Sequence, residues 1–225
     1  VARLEGIDEA LRTADAERIG QLLTPVHVTH GLDAIYVVAA DGQVLTTLGQ
    51  QGPDSTTVAA LELVQQGLEG KNLSRPIVAN GALWLAGVAP HVGPKGTVDT
   101  AFFLARRLDY DFLVGLSHNL GPHIVLTDGE LVVSSFFPDD QKNFLATGLL
   151  PGSVTSDELR LHNLRLGNAP YRLLVAPLNP KGSPTLVVGL LQPTDLIEGA
   201  IRQTVGQIVA LGILLVGVTF VLILS

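Results

Sequence analysis

Apolar positions follow more than one rhythm along this chain. Over residues 1–24, Leu4, Ile7, Leu11 and Ala14 fall at helical spacing, and the stripe resumes at Ile19, Leu22 and Leu23. Arg3, Glu5, Asp8, Glu9, Arg12, Asp15, Glu17 and Arg18 occupy the remaining faces. The pattern predicts one long amphipathic helix, which Pro25 is expected to end, because proline disfavours helix at the residue before it. A stripe this narrow fits packing on its own domain, or a seam with a second copy of the chain. The opposite extreme is Val205–Leu224, an unbroken apolar run with no charge, in which Gln207 is the only strongly polar side chain. As a helix it would cover roughly the 30 Å of a bilayer's hydrocarbon. Helix satisfies every backbone group internally, so the run predicts a transmembrane span.

Between these ends the pattern changes to short alternating runs, and it repeats. Ile35–Ala39 and Gln43–Thr47 flank Ala40-Asp41-Gly42, and Asp-Gly between strand-forming runs signals a hairpin. His123–Leu126 and Glu130–Ser134 flank Thr127-Asp128-Gly129 in the same way, 87 residues later. Val88-Ala89-Pro90 returns as Val175-Ala176-Pro177 at the same interval, and Pro94-Lys95-Gly96 as Pro180-Lys181-Gly182 one residue short of it. Echoes in register imply two copies of one module. Each hairpin leads into a helical or irregular stretch, Thr56–Leu68 in the first copy and Asp139–Leu149 in the second. Three further strands complete each copy: Pro76–Ala79, Leu83–Ala89 and Val98–Ala105, then Leu161–Leu166, Tyr171–Ala176 and Thr185–Leu191. Pro90 and Pro177 are expected at strand ends, since proline cannot donate to the ladder. The fold class is α+β: a long N-terminal helix, two tandem five-stranded antiparallel sheets with helical cover, and a C-terminal transmembrane helix.

A helix over Asp109–Leu120, with Phe112, Leu113, Leu116 and Leu120 on one face and Gly121 as its stop, joins the copies. At the same place after the second copy, Thr194 or Asp195 can cap a helix that meets no breaker before Val205. The organisation is therefore an N-terminal helix over 1–30, a first module over 31–108, a connecting helix and second module over 109–193, and a linker with the membrane helix over 194–225.

Composition narrows the partners. The formal charge is −7 without a basic cluster, which argues against nucleic acid. Cysteine is absent, which removes disulfides, zinc–thiolate sites and thiol catalysis. Asp195 and Glu198 precede the span with Arg202 as the only nearby cation, placing residues 1–204 outside the cytoplasm. The chain lacks methionine and stops at Ser225 directly after the apolar run, so it reads as a piece of a longer protein, with an earlier membrane helix missing from its start.

Candidate chemistry is sparse. His27 and His30 could offer two nitrogens to a metal, but only Asp33 stands near as a third ligand, and no metal site is assigned. Ser117-His118 is adjacent rather than convergent, unlike a nucleophile and its base. Gly93-Pro94-Lys95-Gly96-Thr97 lacks the Gly-Lys-Ser/Thr order of a phosphate loop and fits a hairpin turn. Asp41 and Asp128 are turn residues, and Asp139-Asp140 fits a helix start. No catalytic residue and no cofactor is assigned.

The stretches IYVVAADGQVL, LWLAGVAPHVGPKGTVDTAFFLARRLDYDFLVGL, HIVLTDGELVVSS and YRLLVAPLNPKGSPTLVVGLLQPTDLI resemble the double Cache family, the tandem PAS-like sensor modules of bacterial and archaeal transmembrane receptors. The resemblance implies a small-molecule ligand in the membrane-distal (first) module, a homodimer, and an output domain in the cytoplasm. The family's amino-acid-binding members carry Arg-x-Trp-Tyr and an aspartate in that module's last strand. Here Ala82 stands two before Trp84, Leu85 follows it, and Ala105 stands near the aspartate's place, so the pattern for free amino acids is not met. The side chains best suited to a concave, mostly apolar site are Tyr36, Arg75 and Trp84, with His91 and Asp99 at its edge. Tyr171 and Arg172 are their analogue in the second module. The expected function is an extracytoplasmic ligand-sensing region that passes a rearrangement through the C-terminal helix. The alternatives are a membrane-tethered binding or assembly module without signalling output, and an ectoenzyme.

Overall fold

The computed structural model describes residues 4–49, 51–128, 131–135, 159–166, 169–178 and 186–194. The expected span over Val205–Leu224, the helix leading to it and the stretch Asp139–Leu149 lie outside the described residues. Among the described residues no helix is long and apolar enough to cross a membrane.

The repeat is real at the level of topology. Strands β1 (Ala34–Ala39), β2 (Val44–Leu48), β3 (Leu73–Ala79), β4 (Ala82–Val92) and β5 (Val98–Arg107) form one sheet in the order β2-β1-β5-β4-β3. Strands β6 (His123–Thr127), β7 (Val132–Ser134), β8 (Arg160–Leu166), β9 (Ala169–Pro177) and β10 (Val187–Pro193) form a second in the corresponding order β7-β6-β10-β9-β8. Both sheets are antiparallel. The described residues divide into two compact units, the first holding the chain up to Asn80 and Trp84–Arg107, the second Gly81–Leu83 and the chain from Leu108 onward.

The N-terminal stripe forms two helices and not one. α1 spans Ile7–Arg12 and α2 spans Ala16–Thr29. Between them Ala14 takes φ 50, and Asp15 starts the second helix by accepting from the Arg18 N–H at 3.0 Å. Pro25 does not end the helix as expected; α2 runs past it to Thr29. The ring is on the exposed side, while Ile19 and Leu23 are buried and Leu22 and Val26 pack against the same core. An interior proline costs roughly 3 kcal/mol, whereas each fully buried aliphatic side chain contributes about 1.5–3 kcal/mol, so the packed stripe on both sides of Pro25 wins.

These helices cover one face of the first sheet. Ile35 and Val37 of β1, with Phe102 and Leu104 opposite them on β5, share a core with Ile7, Ala10, Leu11, Ile19 and Leu23. The other face carries Ala34, Tyr36 and Val38, then Ala101, Phe103 and Ala105, then Trp84, Ala86 and Val88, all buried. It is covered by α3 (Ser55–Ala60) and α4 (Glu62–Leu68), through buried Val58, Leu63 and Val64. The stretch expected there as helical or irregular forms two short helices separated at Leu61, whose backbone is extended at ψ 130. Gln65 Nε2 donates to the Ala59 carbonyl at 3.0 Å, satisfying a group freed by the break.

Turns behave as their residues require. Asp41 Oδ1 accepts from the Gln43 N–H at 2.9 Å, and Gly42 takes φ 86. Asn80 (φ 50) and Gly81 (φ 67) give the two-residue turn between β3 and β4, a left-handed pair typical of such hairpins. β4 is eleven residues long and β3 seven, so beyond that turn the end of β4 has β5 alone as partner. Pro90 therefore lies within β4, paired with Ala101, and not at the strand's end, whereas Pro177 closes β9 as expected.

In the second unit, α5 (Tyr110–Leu120) starts at Asp109, whose carboxylate accepts from the Phe112 N–H at 3.0 Å, and stops at Gly121. It lies against β6 and β7. Val125, Val132, Leu164, Leu173, Val175, Val187 and Leu191 form the buried core of this unit's sheet.

Candidate ligand-binding site

In-register pairing decides which of the candidate side chains can meet. Tyr36 lies opposite Phe103, and Phe103 opposite Val88, which puts Tyr36 and Trp84 on the face beneath α3 and α4. Arg75 has the parity of buried Ile77 and Ala79 on β3, and its guanidinium meets Glu62 of α4 at 3.2 Å. Tyr36, Arg75 and Trp84 therefore share one covered face.

His91 does not join them. It pairs with Thr100 and contacts the Phe102 ring edge-on, on the α1–α2 face. Asp99 goes with it. Between the pairs His91–Thr100 and Val92–Val98, β5 carries one extra residue, and this bulge at Asp99 turns its carboxylate to His91 Nδ1 at 2.7 Å. The sheet thus separates the five candidates into three and two.

The covered face is a wall of three aromatics, Tyr36, Phe103 and Trp84, among smaller apolar residues. Tyr36 is 2% exposed, donates its hydroxyl hydrogen to the Pro53 carbonyl, and meets Phe103 edge-on at 5.8 Å between centroids. Burial, helped by the nearby negative charge of Asp54, raises the Tyr36 pKa, so the phenol stays protonated. Trp84 is 3% exposed and donates its indole N–H to the Ala79 carbonyl at 3.0 Å. A side chain at Gly52 would collide with the Tyr36 hydroxyl and Ala34, and one at Gly67 with Val88, so loop 51–54 and α4 approach the sheet closely.

A polar rim that the sequence reading missed surrounds this wall. Asp54 caps α3 and accepts from Thr57 N at 2.8 Å, Thr57 Oγ1 at 2.5 Å and Asn80 Nδ2 at 2.8 Å. The Thr57 bonds first, with the Asn80 amide, lower its pKa to about 2. Asp54 Oδ2 thereby ties the start of α3 to the β3–β4 turn. Pro53-Asp54-Ser55 is a legible helix start and Asn80-Gly81 a legible hairpin, but 26 residues separate the two groups that bond. Glu62 lies 13 residues from Arg75, with no linear signal for the pair.

The remaining motifs are structural. Ser117 is buried and donates to the Pro122 carbonyl at 2.9 Å, closing the end of α5. The Gly93–Thr97 segment is a hairpin turn, with Gly93 N–H bonded to Thr97 O at 2.9 Å. His27 lies within α2, His30 caps it, and Asp33 accepts from the Arg107 N–H at 2.7 Å. Among the described residues no group of three or more His, Asp or Glu side chains is arranged to hold a metal. Tyr171 and Arg172 are consecutive on β9 and so point to opposite faces; Tyr171 packs on the buried core.

Two antiparallel five-stranded sheets of order 2-1-5-4-3 in one chain give it a tandem PAS-like fold. No protein-family model matches the sequence, and no curated protein matches it. Solved structures do. A domain of a sensory box/GGDEF family protein from Vibrio parahaemolyticus is similar with TM-score 0.52 and 11% identity, over 86% of this chain and 85% of the other. The ligand-binding domain of the Campylobacter jejuni chemoreceptor Tlp3, in complex with 4-methylisoleucine, gives 0.50 and 12% over 86% and 78%. That of the Pseudomonas aeruginosa PAO1 amino acid chemoreceptor PctB, in complex with L-Arg, gives 0.50 and 15% over 85% of each chain.

Proposed function

We propose that this chain is the extracytoplasmic ligand-sensing region of a membrane signal-transduction receptor. In this reading the first unit stands away from the bilayer and takes a small molecule on the face beneath α3 and α4. The second unit passes the response toward the helix over 205–224, which anchors the chain in lipid, and the chain acts as a homodimer. The observation that carries the reading is the grouping of Tyr36, Trp84 and Arg75 under a cover of two short helices. An apolar aromatic wall with a few convergent polar groups is what a small-molecule site requires. The similar structures from Campylobacter jejuni and Pseudomonas aeruginosa are complexes with amino-acid-type ligands, which makes small amines and carboxylates the first class to try. The reading assigns this face recognition rather than turnover.

The ligand would enter by displacing the Arg75–Glu62 pair. That pair is exposed, 31% on the arginine side chain and 70% on the glutamate, and an exposed ion pair holds by only about 0–1 kcal/mol. The test is calorimetry on the full chain in lipid nanodiscs, with free L-amino acids, short carboxylates and small amines as probes. Arg75→Gln is expected to weaken the binding of a carboxylate probe at least tenfold with the fold intact, since a charge-assisted contact is worth about 1.5–3 kcal/mol. Equal affinity in the variant, for a probe that binds the parent chain, would contradict the assignment of this face.

A further inference from the structure

On the opposite face of the same sheet, His91 is clamped between carboxylates from two elements far apart in sequence. Its Nδ1 lies 2.7 Å from Asp99 Oδ1, and its Nε2 lies 2.9 Å from Asp8 Oδ1 on α1, 83 residues away. Ionised carboxylates only accept hydrogen bonds, and a neutral imidazole carries a single N–H. Both contacts can be made together only by an imidazolium. A neutral ring must give up one of them and leave a nitrogen lone pair facing a carboxylate oxygen.

We propose that Asp8–His91–Asp99 is a proton-operated clasp that fastens α1 to the sheet. With the ring doubly protonated, Asp99 orients it through Nδ1 and Nε2 holds Asp8. Loss of the proton releases the Asp8 side, because Asp99 is the nearer partner and lies on the strand paired with His91. α1 is six residues long and keeps Ile7, Ala10 and Leu11 against the sheet. A helix this short has little stability of its own, so a single polar tie is a large share of what seats it. Its release would loosen the start of the chain without disturbing the face beneath α3 and α4, so the clasp stands whether or not that face binds a ligand.

The electrostatics agree in sign. Burial of the ring works against its charge, but the hydrogen bonds to Asp99 and Asp8 and the attraction of both carboxylates outweigh it, and the His91 pKa is raised above 6.5. Asp99 and Asp8 are the charges that act on the ring; elsewhere on α1, Glu9 and Arg12 engage each other at 2.5 Å. A histidine with a raised folded pKa stabilises fully below about pH 6.5, and the contribution is lost as pH rises through the folded value. Asp8 is 77% exposed, so added salt should weaken its half of the clasp.

The test is hydrogen exchange of the full chain in nanodiscs from pH 6 to pH 9, expressed as protection factors so that the intrinsic pH dependence of exchange is removed. Protection of Ile7–Arg12 is expected to fall as pH rises, by up to about tenfold for each unit by which the folded pKa exceeds the unfolded one, while β1 stays protected. Asp8→Asn and His91→Gln should each abolish that pH dependence. Asp8→Asn, at an exposed position, serves if the histidine variant folds poorly. Protection of α1 that does not fall with pH in the parent chain, or that falls equally in Asp8→Asn, would overturn the clasp.

Discussion

Gly67 shows how much one side chain decides at the candidate site. It sits in α4, where alanine would raise helix propensity by about 1 kcal/mol. A methyl group there runs into Val88, which is fully buried on β4. The packing term should win, and Gly67→Ala is expected to destabilise by about 1–3 kcal/mol in urea unfolding. Pairing it with Val88→Ala should return part of the loss. A neutral or stabilising Gly67→Ala would mean that α4 can move off the sheet at little cost. Ala14 is the opposite kind of residue: its φ of 50 breaks the N-terminal stripe, yet nothing in its identity announces a left-handed position.

At the scale of elements, the helix broken before Ala16 and continued past Pro25 shows where pattern stops informing. Apolar spacing located both halves of the stripe, because burial of Ile19 and Leu23 follows from period alone. Proline was expected to end the helix, but its local penalty is opposed by packing on both sides, which no window of sequence contains. Thr24 Oγ1 donates to the Gly20 carbonyl at 2.8 Å, while Pro25 has no N–H to offer the Gln21 carbonyl one turn earlier. Pro25→Ala is therefore expected to stabilise α2 by about 1–3 kcal/mol, read as a higher urea midpoint. An unchanged or lower midpoint would show that the proline is matched to the helix's path. The hairpins at Asp41 and Asn80-Gly81 were easier to read, since turn chemistry is local. The extra residue at Asp99 was not: a bulge is a property of two strands together, and it alone moves His91's partner to the α1 side.

For the whole molecule, the interval of 87 residues carried most of what was legible. It implied two sheets, and the sheets have the same strand order. The sequence also named Tyr36, Arg75 and Trp84, which the first unit gathers on one face, because strong aromatic and cationic side chains are scarce in this chain. It could not divide them from His91 and Asp99, since that division depends on cross-strand register. Trp84 is the chain's only tryptophan and is buried in the proposed site, so its emission reports that site alone. The most direct measurement is a titration of the full chain in nanodiscs with the amine and carboxylate probes, following Trp84 fluorescence alongside calorimetry. A probe that binds by calorimetry is predicted to change Trp84 emission saturably, with the same dissociation constant. A probe that binds while leaving Trp84 emission unchanged would contradict the account and send the search for the binding site elsewhere in the chain.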